Sequence, residues 1–124
     1  MQLNLDSKRS KTTVIAYSEQ GIQIGDRWYK SSVLLTADHI FDSWQPHSIA
    51  ILQLNDLELI FPYKPEVLIL GTGKNIQFPP QSLYAELASL GIGLEVMNTE
   101  AACRTYNLLA SDDRAVVAAL CLDC

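Results

Sequence analysis

The sequence has little of what nucleic-acid-binding and exported proteins need. Its 124 residues carry nine Lys and Arg against 14 Asp and Glu, which gives a net charge of -5. Because affinity for a phosphate backbone comes from cationic side chains, we expect no nucleic-acid partner. No apolar segment follows the early charges Lys8, Arg9 and Lys11, so a secretory signal peptide is not expected and we predict a cytoplasmic protein.

Long hydrophobic runs and large cysteine sets are also missing. The longest apolar run, residues 115–122, has eight residues, whereas a membrane-spanning helix needs roughly 20. Cys103, Cys121 and Cys124 form an odd set without an export signal, which predicts no disulfide framework. Cys121 and Cys124 have the spacing of half a zinc site, but zinc needs three or four protein ligands, so no metal is predicted and a structural or accidental pair is favoured.

The remaining composition is that of an ordinary globular protein. The chain is 48% hydrophobic and 19% charged, which suits a single core in a single domain covering residues 1–124. The polar segment 1–11 is expected to be flexible.

A strand, a glycine turn and a helix follow one another in the middle of the chain. Residues 67–70 are an apolar run of strand length between Pro65 and Gly71, which is typical of a strand buried on both faces. Residues 80–90 then place leucines at helical spacing, and Gly91 follows where a left-handed cap is favoured. We therefore predict an internal strand followed by an amphipathic helix.

The other segments complete an α/β pattern. The N-terminal third predicts an antiparallel meander, and a short helix capped by Asn55 is predicted near residues 56–61. A second strand and helix follow, with Asn98-Thr99 as the helix cap, and the last strand is apolar nearly throughout. The predicted strands are 12–17, 22–24, 27–30, 32–36, 93–97 and 114–122, and the last helix is 100–109. Strands 67–70, 94–97 and 116–120 should share one central sheet.

A candidate binding surface follows from the two strand–helix units. Right-handed crossovers make their strands parallel, so both carboxyl ends lie at one edge of the sheet, beside the N-terminus of helix 100–109. Amides at a helix N-terminus favour anions. The predicted surface consists of Gly71, Thr72, Gly73, Lys74, Asn98, Thr99, Cys103 and Arg104, and no catalytic residue is predicted.

Two features of this surface have simpler interpretations. Gly71-Thr72-Gly73-Lys74 lacks the spacing of both nucleotide-binding glycine motifs, so glycines needed for a tight strand exit are favoured over nucleotide binding. The helix dipole and Arg104 would lower the pKa of the Cys103 thiol and favour a reactive thiolate. A small buried side chain packed under the sheet is the favoured alternative for Cys103.

Four blocks of sequence carry a resemblance to a known family. They are PEVLILGTG (65–73), FPP (78–80), GIGLEVM (91–97) and AACRTYN (101–107). Together they resemble the single-domain family that includes mitochondrial respiratory complex I assembly factor 3 and adipogenesis-associated proteins. The resemblance implies a three-layer α/β fold with a mixed central sheet, a β-rich N-terminal part and two to three helices. The family has no established enzymatic activity, and its eukaryotic branch is associated with assembly of a respiratory complex. The chain departs from the family at Asn98-Thr99-Glu100, where an acidic residue, Thr and Gly are common.

Two functions remain as hypotheses. The first is a non-catalytic binding or assembly module with a protein partner and no cofactor. The alternative is a protein that binds a small anion or is redox-active, using residues 71–74 and Cys103. The alternative requires a concave pocket containing Cys103 or Lys74, whereas the first requires an exposed surface for a partner.

Overall fold

The computed structural model describes residues 11–112 and 114–124. The segment expected to be flexible, 1–11, lies outside this range except for Lys11. Five strands come first in the described part, two 3-10 helices, Ile49–Ile51 and Leu54–Tyr63, follow them, and strands alternate with α-helices after that. The elements are β1 (Val14–Ser18), β2 (Gly21–Ile24), β3 (Arg27–Tyr29), β4 (Val33–Leu35), β5 (Ile40–Phe41), β6 (Val67–Thr72), α1 (Gln81–Ser89), β7 (Gly93–Met97), α2 (Thr99–Ser111) and β8 (Val116–Cys121).

Five strands form the central sheet in the order β5-β4-β8-β6-β7. β6 is parallel to both β7 and β8, whereas β4 is antiparallel to β8 and to β5. The sheet is therefore mixed, and β6 has a hydrogen-bonded neighbour on each side. β1, β2 and β3 form a separate antiparallel sheet of three strands.

Both faces of the central sheet are covered. Successive side chains of a strand point to opposite faces, and on β6 Ile69 belongs to one buried cluster while Leu68 and Leu70 belong to the other. The first cluster also contains residues of α2 and of the small sheet, and the second contains residues of α1 and of the 3-10 helices. The structure is thus a three-layer α/β fold with a mixed central sheet, as predicted.

The predicted helices are confirmed to within two residues at each end. Gly91 has a φ of 79°, so it provides the left-handed conformation after α1. Asn98 caps α2, because its side-chain oxygen accepts a hydrogen bond from the amide of Ala101. Local patterning and capping were sufficient to locate both helices.

Two local predictions were wrong: the sheet to which segment 32–36 belongs and the cap of the short helix. Segment 32–36 was assigned to the N-terminal meander, but β4 pairs with β8 in the central sheet, and all three of its residues are buried. An unbroken apolar run suits that internal position better than an exposed hairpin. The short helix near residues 56–61 is the longer 3-10 helix Leu54–Tyr63, and its cap is Gln53, paired with Asp56 in a capping box, rather than Asn55.

The Asn107 side chain of α2 is hydrogen-bonded to the first strand of the small sheet. The Asn107 side-chain amide donates to the Val14 carbonyl at 2.8 Å, and its oxygen accepts from the Val14 amide at 2.9 Å. Replacement by Ala leaves a partly buried backbone pair without its partners.

We expect Asn107→Ala to lower the free energy of unfolding by about 1–3 kcal/mol. Gln23→Ala is the control, because it removes a side-chain amide that donates to the Gly25 carbonyl in an exposed turn. Urea unfolding of both variants measures the difference. Equal stability of the two variants would show that the two hydrogen bonds of Asn107 do not stabilise the attachment of the small sheet to α2.

Candidate functional site

Gly73 and Thr99, two of the predicted surface residues, contact each other directly. The Gly73 amide donates to the Thr99 hydroxyl at 2.8 Å, and the Thr99 amide donates to the Gly73 carbonyl at 2.9 Å. The parallel pairing of β6 and β7 brings the turn after β6 to the N-terminus of α2. The predicted convergence of the two loops is therefore present.

Thr99 extends this contact to a third element. Its hydroxyl accepts from Gly73 and donates to the Cys121 carbonyl at 2.5 Å, at the end of β8. The side chain is fully buried. One hydroxyl thus uses both its donor and its acceptor capacity to join β6, α2 and β8.

Gly71 allows α2 to approach β6 closely. A Cβ at this position would lie 2.9 Å from the Thr99 Cα and 3.0 Å from the Ala102 Cβ. Gly73 has a φ of 100°, which L side chains rarely adopt, and it lies against Cys124. Close packing explains the glycine at position 71, and backbone conformation explains the glycine at position 73. Neither explanation requires a bound phosphate.

Thr72 fixes the loop that follows. Its buried hydroxyl donates to the Asn75 carbonyl at 2.9 Å and accepts from the Gln77 amide at 3.0 Å. The Gln77 side chain donates to the carbonyls of Thr72 and Cys124, at 3.1 Å and 2.9 Å. These bonds hold a loop whose apolar side chains, Ile76 and Phe78, are 51% and 64% exposed. We call residues 74–78 the exposed loop.

Both predicted cations lie beside carboxylates. The Lys74 Nζ is 3.8 Å from a Glu19 oxygen, and the Arg104 guanidinium is 3.6 Å from Glu100, one helical turn earlier. All four side chains are exposed, so these pairs contribute little to stability. They do neutralise the positive charge that an anion would need. The Thr99 and Ala101 amides at the start of α2 already donate to protein acceptors.

Cys103 lies in the buried cluster between the central sheet and α2. Burial raises the pKa of its thiol to about 12; Glu100 adds to the increase, and Arg104 opposes it. The pKa of Tyr17 is also raised, mainly by burial and then by Cys103. The interpretation of Cys103 as a small buried side chain is confirmed, and the reactive-thiolate alternative is not supported.

Cys121 and Cys124 are in disulfide contact, which corrects the expectation of no disulfide. Their Cα atoms are 6.1 Å apart, within the range that disulfides span. The sequence argument relied on the odd cysteine count and the missing export signal, and neither limits a pair three residues apart. Within the described residues, no group of three or more His, Cys, Asp and Glu side chains is arranged to hold a metal.

The described fold and the sequence can be compared with known proteins. The profile of a family described as a protein of unknown function (DUF498/DUF598) matches residues 14–121, nearly the whole chain. This chain belongs to the DUF498/DUF598 family.

Named relatives of this DUF498/DUF598 protein fall into two groups. A Francisella tularensis protein named 13 kDa major membrane protein is 29% identical over 96 residues, covering 77% of this chain and 76% of the relative. The zebrafish (Danio rerio) NADH dehydrogenase (ubiquinone) 1 alpha subcomplex assembly factor 3 is 32% identical over 111 residues, covering 88% of this chain. The match spans only 63% of the zebrafish protein.

A solved structure confirms the fold of the family. The crystal structure of a Bordetella parapertussis protein has a TM-score of 0.83 and 30% sequence identity, and the match covers 93% of this chain and 98% of that one. Across the part of this chain that the structure describes, no helix is both long and apolar enough to cross a membrane.

Ile76, Gln77 and Phe78 are not part of the predicted surface, although Phe78 lies in one of the blocks that carry the family resemblance. A signal was present, because apolar and polar residues alternate from Asn75 to Phe78 between a glycine turn and Pro79-Pro80. Apolar side chains in a short loop that cannot join a strand or a helix are candidates for surface contacts. The predicted surface instead contains glycines, polar and charged residues, and one cysteine.

Substitution of Gly71 tests the close packing of α2 against β6. Gly71→Ala should lower the free energy of unfolding by about 1–3 kcal/mol, because the added methyl meets the backbone of α2. Gly93→Ala is a matched control in the neighbouring strand, where the nearest atom would be 3.7 Å away, and it should stay within about 0.5 kcal/mol of wild type. If thermal melts show equal losses, the close approach at Gly71 is not the cause.

A second prediction concerns pH. The ordinary pKa of the thiol is 9.0 and its folded value is about 12, so unfolded chains release this proton first as pH rises. The resulting stability is fully present below about pH 9 and is lost toward pH 12, at a rate of up to about 1.4 kcal/mol per pH unit. Urea unfolding of wild type and Cys103→Ala across this range should show a shallower decline for the variant. The pKa of Tyr17 is raised mainly by burial, so Tyr17 contributes a decline in both proteins, and this decline is smaller in the variant because Cys103 is the second cause of the shift. Identical slopes would contradict the assignment.

Proposed function

We propose that this protein is a non-catalytic module that binds a protein subunit during assembly of a larger complex, using the exposed loop. The observation that carries the proposal is the exposure of Ile76 and Phe78 on a backbone tied down by Thr72 and Gln77.

An exposed apolar loop that is already ordered suits protein binding. Covering a large apolar side chain contributes about 1.5–3 kcal/mol, and aromatic anchors dominate many interfaces. A flexible loop loses conformational entropy when it binds, which lowers affinity. The hydrogen bonds of Thr72 and Gln77 already order this loop in the free protein, so little further entropy is lost on binding. Four of the buried residues of the predicted surface, Gly71, Thr72, Gly73 and Thr99, therefore serve as the support of the loop.

The names of relatives support an assembly role. The zebrafish relative and its Xenopus tropicalis counterpart are both named as assembly factors of the NADH dehydrogenase 1 alpha subcomplex. This chain spans 63% and 57% of their lengths. We extend to this chain the class of function, binding of a protein subunit, and leave the identity of the subunit to experiment.

The alternative of small-anion binding or redox chemistry at Cys103 has less support. Lys74 and Arg104 each lie beside a carboxylate, and Cys103 is buried. A surface groove of about 480 Å³ lies between the first 3-10 helix and α1, and neither Lys74 nor Cys103 lines it.

The test replaces the apolar side chains of the loop. Ile76→Ser/Phe78→Ser should lose its partner, because the apolar contact area is removed. Ile51→Ser/Leu108→Ser is the matched control, since these side chains are 59% and 65% exposed elsewhere on the surface. Affinity capture from cells that express the native chain, with quantitative mass spectrometry, compares the two variants with wild type.

The proposal requires a protein that wild type and the control capture and the loop variant does not. Thermal melts of both variants should stay near that of wild type, since exposed substitutions change stability by only about 0.5 kcal/mol. Equal capture by all three proteins would overturn it. So would loop-dependent binding to anionic phospholipid vesicles without any loop-dependent protein partner.

A further inference from the structure

The Cys121–Cys124 pair lies against the exposed loop and the start of α2. The Cys124 carbonyl accepts from the Gln77 side chain at 2.9 Å, and the Cys121 carbonyl accepts from the Thr99 hydroxyl at 2.5 Å. Gly73 packs against Cys124, because a Cβ there would lie 3.6 Å from the Cys124 carbonyl oxygen. The conformation of residues 121–124 is therefore connected to that of the loop.

The two cysteines differ in access. Cys121 ends β8 and is fully buried, whereas Cys124 is exposed. The Ser32 hydroxyl holds the buried end, since it contacts the Cys121 sulfur at 3.6 Å and accepts from the Leu122 amide at 2.9 Å. A reagent in solution reaches Cys124 first, and Cys121 is positioned to act second.

We propose that Cys121 and Cys124 form a reversible dithiol–disulfide site that exchanges with small thiols and disulfides, and that its oxidation state controls the order of the exposed loop. The exchange chemistry at residues 121–124 does not require the proposed partner binding, although the loop that it orders is the one that the proposed function uses. Cys103 takes no part.

The exchange balances in two steps. The Cys124 thiolate attacks one sulfur of a small disulfide RSSR, which forms a Cys124–SR mixed disulfide and releases RS⁻. The Cys121 thiolate then attacks the Cys124 sulfur, which forms the Cys121–Cys124 bond and releases the second RS⁻. The two thiol protons end on two RSH molecules, and two electrons pass from the protein to RSSR. Excess RSH reverses both steps.

The effect of oxidation should be local. Closing a ring of so few residues removes less chain entropy than closing a long loop, so the sheet should remain folded in both states. The segment that accepts from Gln77 is directly affected, because the disulfide restricts Cys124. Reduction should loosen the loop while the sheet remains intact.

The first test equilibrates the full chain in glutathione buffers of graded redox state, quenches exchange with acid, and then locates the free thiols by alkylation under denaturing conditions and mass spectrometry. Cys121 and Cys124 should convert together within the range that these buffers set. Cys121→Ala should accumulate a stable glutathione adduct at Cys124, whereas Cys124→Ala should accumulate none at Cys121. Cys103→Ala should behave as wild type.

The second test measures amide hydrogen exchange of the reduced and oxidised wild-type protein. Residues 73–78 should exchange about tenfold faster after reduction, with β6 and β8 unchanged.

A dithiol that stays reduced in the most oxidising buffer, or a Cys121→Ala protein without the adduct, would overturn the exchange site. Equal exchange of the loop in both states would overturn its control by the disulfide. The wild-type titration decides the first question even if a cysteine variant fails to fold.

Discussion

The arrangement of the loops depends on one buried hydroxyl group. The Thr99 hydroxyl accepts from the Gly73 amide and donates to the Cys121 carbonyl, so it joins the ends of two strands to the start of α2. A buried polar group without a hydrogen-bond partner destabilises the folded state. Here the Thr99 hydroxyl, the Gly73 amide and the Cys121 carbonyl are all hydrogen-bonded. The position of the glycine turn, and of everything attached to it, follows from this contact.

The glycine turn illustrates how a sequence that resembles a ligand motif can serve packing alone. Gly71 permits close approach of α2, and Gly73 adopts a conformation suited to glycine. Lys74, the residue that would contact an anion, lies beside Glu19 in the turn between β1 and β2. The consequence of the turn is outward display of Ile76 and Phe78, because Thr72 and Gln77 fix the segment that carries them.

The three cysteines show how burial separates chemically identical groups. Cys103 is enclosed between α2 and the sheet, and its raised pKa keeps the thiol protonated well above neutral pH. Cys121 is also buried, but it borders the exposed Cys124, and the pair lies next to the loop. Position in the fold therefore distinguishes the enclosed cysteine on the helix from the pair at the end of β8, for which we propose thiol–disulfide exchange.

The sequence by itself determined the elements whose signals are local. The apolar run of β6, the cap at Asn98 and the left-handed Gly91 each depend on neighbours within a few residues, and together they were sufficient to predict the α/β order and the meeting of two loops. Only the tertiary structure decided that β4 leaves the meander to pair with β8, because a short apolar run carries no information about its partner strand. It also decided which predicted surface residues are buried. The contacts from Gly71 to Ala102, from Thr99 to Cys121 and from Lys74 to Glu19 join residues far apart in the chain, and such contacts exist only once the layers have packed.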